Sequence, residues 1–335
     1  MYECSTNIQP PLQDVADRIG ITKMKVSRYL RDPSSVAAST RDKIAKEIEA
    51  TSYIQNRAPA MLSKSSSKAI GILLPSLSNQ VFTRFTQGIE EITRAHGFET
   101  LIAHFDYSEI EKETKVASLL SYQVDGLILT ETSHTKRTLQ MIRTAGIPVV
   151  EAMELPLAPI DMAVGLDHLG AAYKVITQML NSGKKQIAYF GARLDSRTKL
   201  RMQGYTQAVE AQGHKPIYVL TEEHSSFSIG ASLLEQALKQ YTNLDGAFCT
   251  NDDIAVGIMM AAQQKGIEVP KQLSLVGNNA LDIGTMMSPA LTSIDSPRYE
   301  IGKKSAELII NALTGDSCEQ KVFNLGYSIS AGSSL

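Results

Sequence analysis

Residues 12–30 read LQDVADRIGITKMKVSRYL. Val15, Ala16 and Ile19 recur at helical spacing, and so do Val26, Tyr29 and Leu30. Gly20 separates the two sets, and Thr22 stands where an N-cap accepts from an amide of the next turn. Two short helices joined by a tight glycine-containing turn make a helix-turn-helix. Ala16 is small where the helices cross, Gly20 suits the left-handed backbone of the turn, and Val26 plugs the space beneath. A third helix over Ser39–Thr51, with Ile44, Ile48 and Tyr53 as its apolar contribution, closes a three-helix bundle.

In this motif the second helix lies in the DNA major groove, its first residues nearest the base edges. Lys23, Met24 and Arg28 are then the base readers. Arg28 can donate twice to guanine, Lys23 once, and Met24 offers apolar contact to a thymine methyl. Lys25, Ser27 and Arg31 reach phosphate, which positions without specifying. The plain alternative is the solvated face of an ordinary helical hairpin. Charge favours the first reading. Of the chain's 33 Lys and Arg, 11 fall in residues 1–68, against 7 of its 35 Asp and Glu. A basic head on an acidic body suits a polyanionic partner.

Beyond the bundle, Asn56 reads as a helix cap, Pro59 fits a first turn, and a short helix runs to Leu62 before the polar linker SKSSSK. A helix this short is marginal alone and is expected to form only when paired with a second copy on DNA. The expected domains are a helix-turn-helix domain over 1–55, a hinge helix and linker over 56–67, and an effector-binding and dimerisation domain over 68–335.

From Ala69 on, strand-like and helix-like segments alternate. AIGILLP, ETLIAHF, VDGLILTE and IPVVEAM read as strands, with RFTQGIEEITRAHG and KETKVASLLSYQ as helices between them. After Asp161 the rhythm repeats through MAVGLD, QIAYFGA, IYVLTEE, LDGAFCTND and LSLVGN. Such alternation predicts two doubly wound parallel α/β sheets, so the fold class is α/β behind an all-α head. In open α/β sheets ligands sit at the carboxyl ends of strands. Those positions hold Ser76, Asn79, Phe82 and Glu131 in the first half, and Asp167, Arg197, Arg201, Asn251, Asp252 and Asn279 in the second. Amides and carboxylates suit vicinal hydroxyls, and arginines clamp a carboxylate or phosphate through paired bonds. The combination points to a polyhydroxy acid. Bland alternatives stand beside each: Asp252 as a helix cap, Phe82 as core, one arginine as the partner of Asp195. Asp253 reads as a surface residue or cap, and His104 and His168 as structural or surface residues.

The 335 residues suggest two or three domains, and 43% hydrophobic residues suffice for large cores. No run of 18 apolar residues occurs and the N-terminus lacks a secretory pattern, so a cytoplasmic protein without membrane contact is expected. Cys4, Cys249 and Cys318 are expected as free thiols. The six histidines show no HxH or HxxxH spacing, and no nucleotide motif or GxSxG elbow is present. Neither metal, cofactor nor catalysis is expected.

The stretches LQDVADRIGITKMKVSRYLRDP and STRDKIAKEIEATSYIQNRA, followed by LLPSLSNQVF, VDGLILTE and FCTNDDIAVG, resemble the LacI/GalR family of transcriptional repressors essentially end to end. Within that family the likeness is greatest to the gluconate and idonate repressors. The resemblance implies a periplasmic-binding-protein-like body whose lobes exchange strands, the first at about 68–165 and 297–321, the second at about 166–296 and 322–335. It implies a homodimeric repressor on a near-palindromic operator, released by a sugar acid such as gluconate. It makes Leu62 a wedge in the minor groove, Arg201 an effector ligand, Asp252 a ligand for a sugar hydroxyl, and Phe82 part of the cleft lining. The DNA-contacting set is then Leu12, Thr22, Lys23, Met24, Lys25, Ser27, Arg28, Arg31, Tyr53, Asn56 and Leu62. Gln55 departs from the family's proline, and Ser225 from a common aromatic, which fits an open-chain ligand. Asn279 replaces a commoner aspartate, removing a charge that opposes an anion. No apolar heptads follow the last strand, so a dimer is expected rather than a tetramer. Another sugar, a phosphorylated acid, or activation instead of repression stays open, as do a sugar-binding transport protein and a sugar-acid enzyme.

Overall fold

The computed structural model describes residues 11–55, 66–316 and 319–335. Cys4, Asn56, Pro59, Leu62 and Cys318, and with them most of the expected hinge segment, lie outside the described residues. Two compact units are present, residues 1–67 and 68–335.

The first unit contains α1 (Leu12–Arg18), α2 (Lys23–Arg31) and α3 (Ala38–Thr51). Its core is Val15, Ala16, Val26 and Ile44, all fully buried, with Leu12, Ile19, Tyr29, Leu30, Ile48 and Tyr53 packed around them. Gly20 takes φ +66°, which no side chain would favour, and lets the chain reverse between α1 and α2. The turn closes through the Ile21 amide, which donates to Ala16 O at 3.1 Å. Thr22 caps α2, its side chain accepting from the Lys25 amide. Asp32 then ends α2 and caps the short 3-10 turn Pro33–Ser35. The third helix starts at Ala38, one residue before the expected start.

The second unit carries two six-stranded sheets. Its strands are β1 (Ala69–Leu74), β2 (Glu99–His104), β3 (Gly126–Leu129), β4 (Val149–Ala152), β5 (Met162–Gly165), β6 (Ile187–Ala192), β7 (Ile217–Thr221), β8 (Gly246–Cys249), β9 (Ser274–Asn278), β10 (Thr292–Asp295), β11 (Val322–Asn324) and β12 (Ser328–Ile329). Between them run α4 (Val81–Ala95), α5 (Glu109–Ser121), α6 (Lys136–Ala145), α7 (His168–Asn181), α8 (Ser196–Ala211), α9 (Phe227–Gln240), α10 (Asp252–Gln264), α11 (Asp282–Thr285) and α12 (Arg298–Thr314). One sheet runs β11-β5-β4-β3-β1-β2 and the other β12-β10-β9-β8-β6-β7. All pairings are parallel except β10 with β12.

Parallel strands covered on both faces read as continuous apolar runs, and β1 is buried throughout. Its residues still divide by face: Ile70, Ile72 and Leu74 join one core, Ala69 and Leu73 the other. In β6, Ala188 and Phe190 face one core, Ile187 and Tyr189 the other. The edge strand β2 has no buried residue.

The chain passes between the sheets three times: after β5, after β10 and after β11. The last passage differs from expectation. The first lobe was expected to end at residue 321, yet Val322–Asn324 pairs with β5, so the return to the second lobe comes only after Asn324. Strand β10 was also absent from the expected strands. Before the last passage, α12 packs on α4 with backbones nearly touching. A Cβ on Gly88 would stand 2.1 Å from Tyr299 O, and one on Gly302 2.0 Å from Phe85 O. That crossing joins residues some two hundred positions apart in the chain into the first lobe. Among the described residues, no helix is long and apolar enough to cross a membrane.

Candidate functional site

In the head, the buried face of α2 is set by Val26, with Tyr29 and Leu30 beside it. At 100° per residue, the opposite stripe is Met24, Arg28 and Arg31, with Ser27 next to it and Lys23 and Lys25 flanking the first turn. Lys23, Met24, Lys25, Arg28 and Arg31 are exposed, Met24 by 71%, and Ser27 is half-buried. The helix carries four cations and no acid. Thr22 is exposed and spent as the cap. Leu12 and Tyr53 are half-buried against the head's core, so their side chains hold the bundle together.

In the body, a narrow cleft lies between the lobes at the carboxyl ends of the strands, with a cavity volume of about 30 Å³. Its lining includes Asn79, Phe82, Arg197, Arg201, Asn251 and Asn279, six of the ten expected effector residues. It also includes Tyr107, Met153, His168, Arg193, Asp195, Thr198, Thr250 and Ser296, which sequence reasoning did not select. Tyr107 follows β2 as Asn79 follows β1, so the rule of strand ends would have found it.

Four lining residues, Tyr107, Met153, Arg193 and Asn279, have positive φ although none is glycine. Such backbones cost energy and cluster where side chains must be aimed. Arg193 lays its guanidinium 3.6 Å from the centre of the Tyr107 ring. Its Nε is buried without a hydrogen-bond partner, and the nearest carboxylate, Asp195, lies 3.7 Å away. Asp195 caps α8 by accepting from the Thr198 amide at 2.8 Å. Burial pushes its carboxyl up, but Arg197, that amide, Arg201 and Arg193 together hold it below the usual range.

Arg201 donates to Thr250 O at 2.7 Å and meets His168 Nδ1 at 3.4 Å. Burial lowers its pKa to about 10, against the pull of Asp195. His168 places Nε2 2.9 Å from Met153 O, so Nε2 carries the proton and Nδ1 accepts. Burial and then Arg201 drive its pKa well below the ordinary value, and the ring is neutral. His168 is thus structural, as expected, and part of the lining as well. Asn79 accepts from the Val81 amide at 3.0 Å and donates to the Tyr107 hydroxyl at 3.4 Å. Asn251 caps α10 and donates to Ser225 Oγ at 2.7 Å. Phe82 serves both readings: it packs in the first lobe's core and lines the cleft.

Four expected effector residues lie outside the lining. Ser76 is half-buried and shares a hydrogen bond with Ser78. Asp167 is exposed and spent as the cap of α7, accepting from Gly170 at 2.8 Å. Glu131 sits behind Arg197 as its ion-pair partner at 3.3 Å. Asp252 is fully buried, and both its oxygens are taken: the Leu281 amide donates at 2.6 Å and Ser293 Oγ at 2.7 Å. The cap of α10 is Asn251, so Asp252 is neither the cap nor a lining residue but a buried tie between α10, β10 and the loop after β9. Asp253 is half-buried on α10, and His104 is exposed at the end of β2. Cys249 is a buried free thiol. Among the described residues no three His, Cys, Asp or Glu side chains converge as a metal site.

Among the lining residues, three arginines face one aspartate, in a ring of amides and hydroxyls. The arrangement can hold an anion with hydroxyl groups.

Comparison with known proteins adds to this. Residues 11–56 match the model for bacterial regulatory proteins of the lacI family, and residues 67–324 that for periplasmic binding proteins and the sugar-binding domain of the LacI family. The chain is 46% identical to the HTH-type transcriptional regulator GntR of Escherichia coli (strain K12) over 327 residues, covering 98% of this chain and 99% of that one. It is 41% identical to the HTH-type transcriptional regulator IdnR of the same organism, covering 97% and 98%. A crystal structure of a LacI-family transcriptional regulator from Silicibacter pomeroyi superposes with TM-score 0.92 at 27% identity, covering 97% of this chain and 99% of that one.

Asp252 has a measurable signature. Burial raises its pKa to about 6, against the two hydrogen bonds and Arg298. A carboxyl whose native pKa is raised stabilises the fold below its unfolded pKa and loses that contribution as pH rises through the native value. Relative to Asp252→Asn, the wild type is expected to lose about 2 kcal/mol between about pH 4 and pH 7. Urea unfolding of both proteins across that range checks it.

Proposed function

This chain belongs to the LacI family of bacterial regulatory proteins, and from that premise we propose that it represses genes of sugar-acid catabolism and is released from its operator by gluconate or a close aldonate. It is a DNA-binding transcriptional regulator controlled by an effector. Two copies bind a near-palindromic operator, each α2 reading one half-site through Lys23, Met24 and Arg28, with Lys25, Ser27 and Arg31 on phosphates.

One observation carries the choice of a sugar acid: with Arg197 paired to Glu131, two further guanidinium groups, Arg193 and Arg201, share one carboxylate, Asp195, in the cleft lining. A neutral sugar leaves that imbalance uncompensated, whereas a carboxylate meets it. Arg201 and Arg193, whose Nε makes no hydrogen bond, are assigned to the carboxylate. Asn79, Tyr107, Asn251, Asn279 and Ser296 are assigned to the hydroxyls along the open chain. Asn279 serves this ligand better than an aspartate, which would repel the acid. The likeness to gluconate and idonate repressors supports the same ligand class.

The effector favours lobes closed on it. Closure changes how the two heads present themselves to the operator, so effector and DNA weaken each other by a common factor. The protein acts in the cytoplasm, as a dimer, and turns over no substrate.

Two outcomes test this reading. Arg28→Ala is expected to lower operator affinity by about 1–3 kcal/mol and to relax the preference at one base pair of each half-site, read by gel shift against single-substituted operators. Gluconate is expected to raise the thermal unfolding temperature of the protein by several degrees while glucose at equal concentration leaves it unchanged. Stabilisation by the neutral sugar alone would refute the sugar-acid assignment.

A further inference from the structure

Arg197 stands in the first turn of α8, on the second lobe, but its donors are spent on the first. Nη1 donates to Thr130 O and Nη2 to the Glu131 carboxylate, each at 3.3 Å, at the carboxyl end of β3. The guanidinium lies 5.7 Å from the centre of the Phe82 ring, also on the first lobe. The two charged side chains are 8% and 9% exposed. Beside this pair, Ser196 Oγ donates to Glu154 at 2.9 Å, and the same carboxylate accepts from the Thr132 amide at 3.0 Å. Adjacent residues of α8 thus grip two carboxylates across the cleft.

Glu131 is itself held from behind. Lys112, on α5, is 1% exposed, and its ammonium donates to Glu131 O at 2.6 Å and Ser133 O at 2.9 Å. The Phe105 ring centre lies 5.3 Å away. A buried lysine is costly, and this one meets two backbone carbonyls of the very loop that presents Glu131. Its hydrogen bonds fix where that loop, and so the Glu131 carboxylate, stands.

We propose that Lys112, Glu131 and Arg197 form a buried bolt between the lobes: Lys112 positions the Glu131 loop, Glu131 retains Arg197, and the pair sets how readily the lobes close. Arg197 is then chiefly a part of the closing machinery, and Arg193 and Arg201 are left for the effector. This rests on the reading that the effector prefers closed lobes.

The sign of one substitution separates the bolt from a direct role in binding. If Arg197 mainly held the effector, Glu131 would compete with an anion for it. Glu131→Gln would free Arg197 and tighten gluconate binding. If the pair is a bolt, Glu131→Gln takes from buried Arg197 its hydrogen-bonded carboxylate in the closed form only, leaving Asp195 and Glu154 as its nearby charges, and gluconate binding weakens. Calorimetric titration of the full-length protein with gluconate is expected to show about tenfold weaker binding in Glu131→Gln. Lys112→Met is expected to shift it the same way by a smaller factor. Glu131→Gln combined with Arg197→Gln is expected to bind no worse than Arg197→Gln alone, because the two changes remove one interaction. Unchanged or tighter binding in Glu131→Gln overturns the proposal, as does full additivity.

Hydrogen–deuterium exchange without sugar reads the bolt by itself. Glu131→Gln and Lys112→Met are each expected to exchange severalfold faster in peptides spanning residues 129–134 and 194–199, with protection of the two sheets retained. Protection equal to wild type in those peptides overturns the bolt even if gluconate binds. Faster exchange in a protein that does not bind gluconate supports the bolt and retires the gluconate assignment.

Discussion

Burying arginine in a cleft is the constraint on which this body turns. Arg193, Arg197 and Arg201 all line the space between the lobes. A guanidinium leaves water only if carboxylates, carbonyls or a ring face replace it. The protein supplies such partners unevenly. Arg197 gets a carboxylate and a carbonyl from the opposite lobe. Arg201 gets a carbonyl and a neutral histidine. Arg193 gets a tyrosine face and a loose ion pair with Asp195 at 3.7 Å. On the proposed reading, the shortfall is what an acid effector meets, and the cross-cleft partners are what tie its binding to lobe movement.

Topology makes that movement available. Three passages of the chain join lobes that each keep both faces of their own sheet covered. Cores so separated move as bodies, and the cleft between them is where their polar contacts break and re-form. Residue types follow the same division. Apolar runs build the strands, and the charged and amide residues gather where the strands end. His168 marks one such border, with its ring at the start of α7 and its Nε2 proton donated to Met153 O just after β4.

The head was legible in the sequence because local rules decide it. Gly20 at positive φ, Thr22 as cap and Ala16 and Val26 as core all follow from spacing over fewer than twenty residues. The runs behind β1, β3, β4, β6, β8 and β9 were legible for a like reason, since buried parallel strands are uniformly apolar. Strand β10 was not. Three of the four residues of its sequence TSID are polar, and it is buried because β9 and the far C-terminal Ser330 and Ser334 supply its hydrogen bonds. The cleft was half legible for similar reasons. Arg197, Arg201, Asn251 and Asn279 stand at strand ends and helix starts, which sequence locates. Asp252 looked like a ligand, and only partners 29 and 41 residues away show its oxygens to be occupied. Tyr107 was within reach of the strand-end rule, whereas Arg193 stands at a positive φ that no local pattern marks.

On the proposed reading, the lobes are the means by which a small acid and a duplex sense one another. Gluconate affinity measured with and without saturating operator, beside operator affinity measured with and without saturating gluconate, tests that directly. The expected result is two ratios equal to each other and well above one. Gluconate bound with the same affinity whether or not operator is present would contradict it.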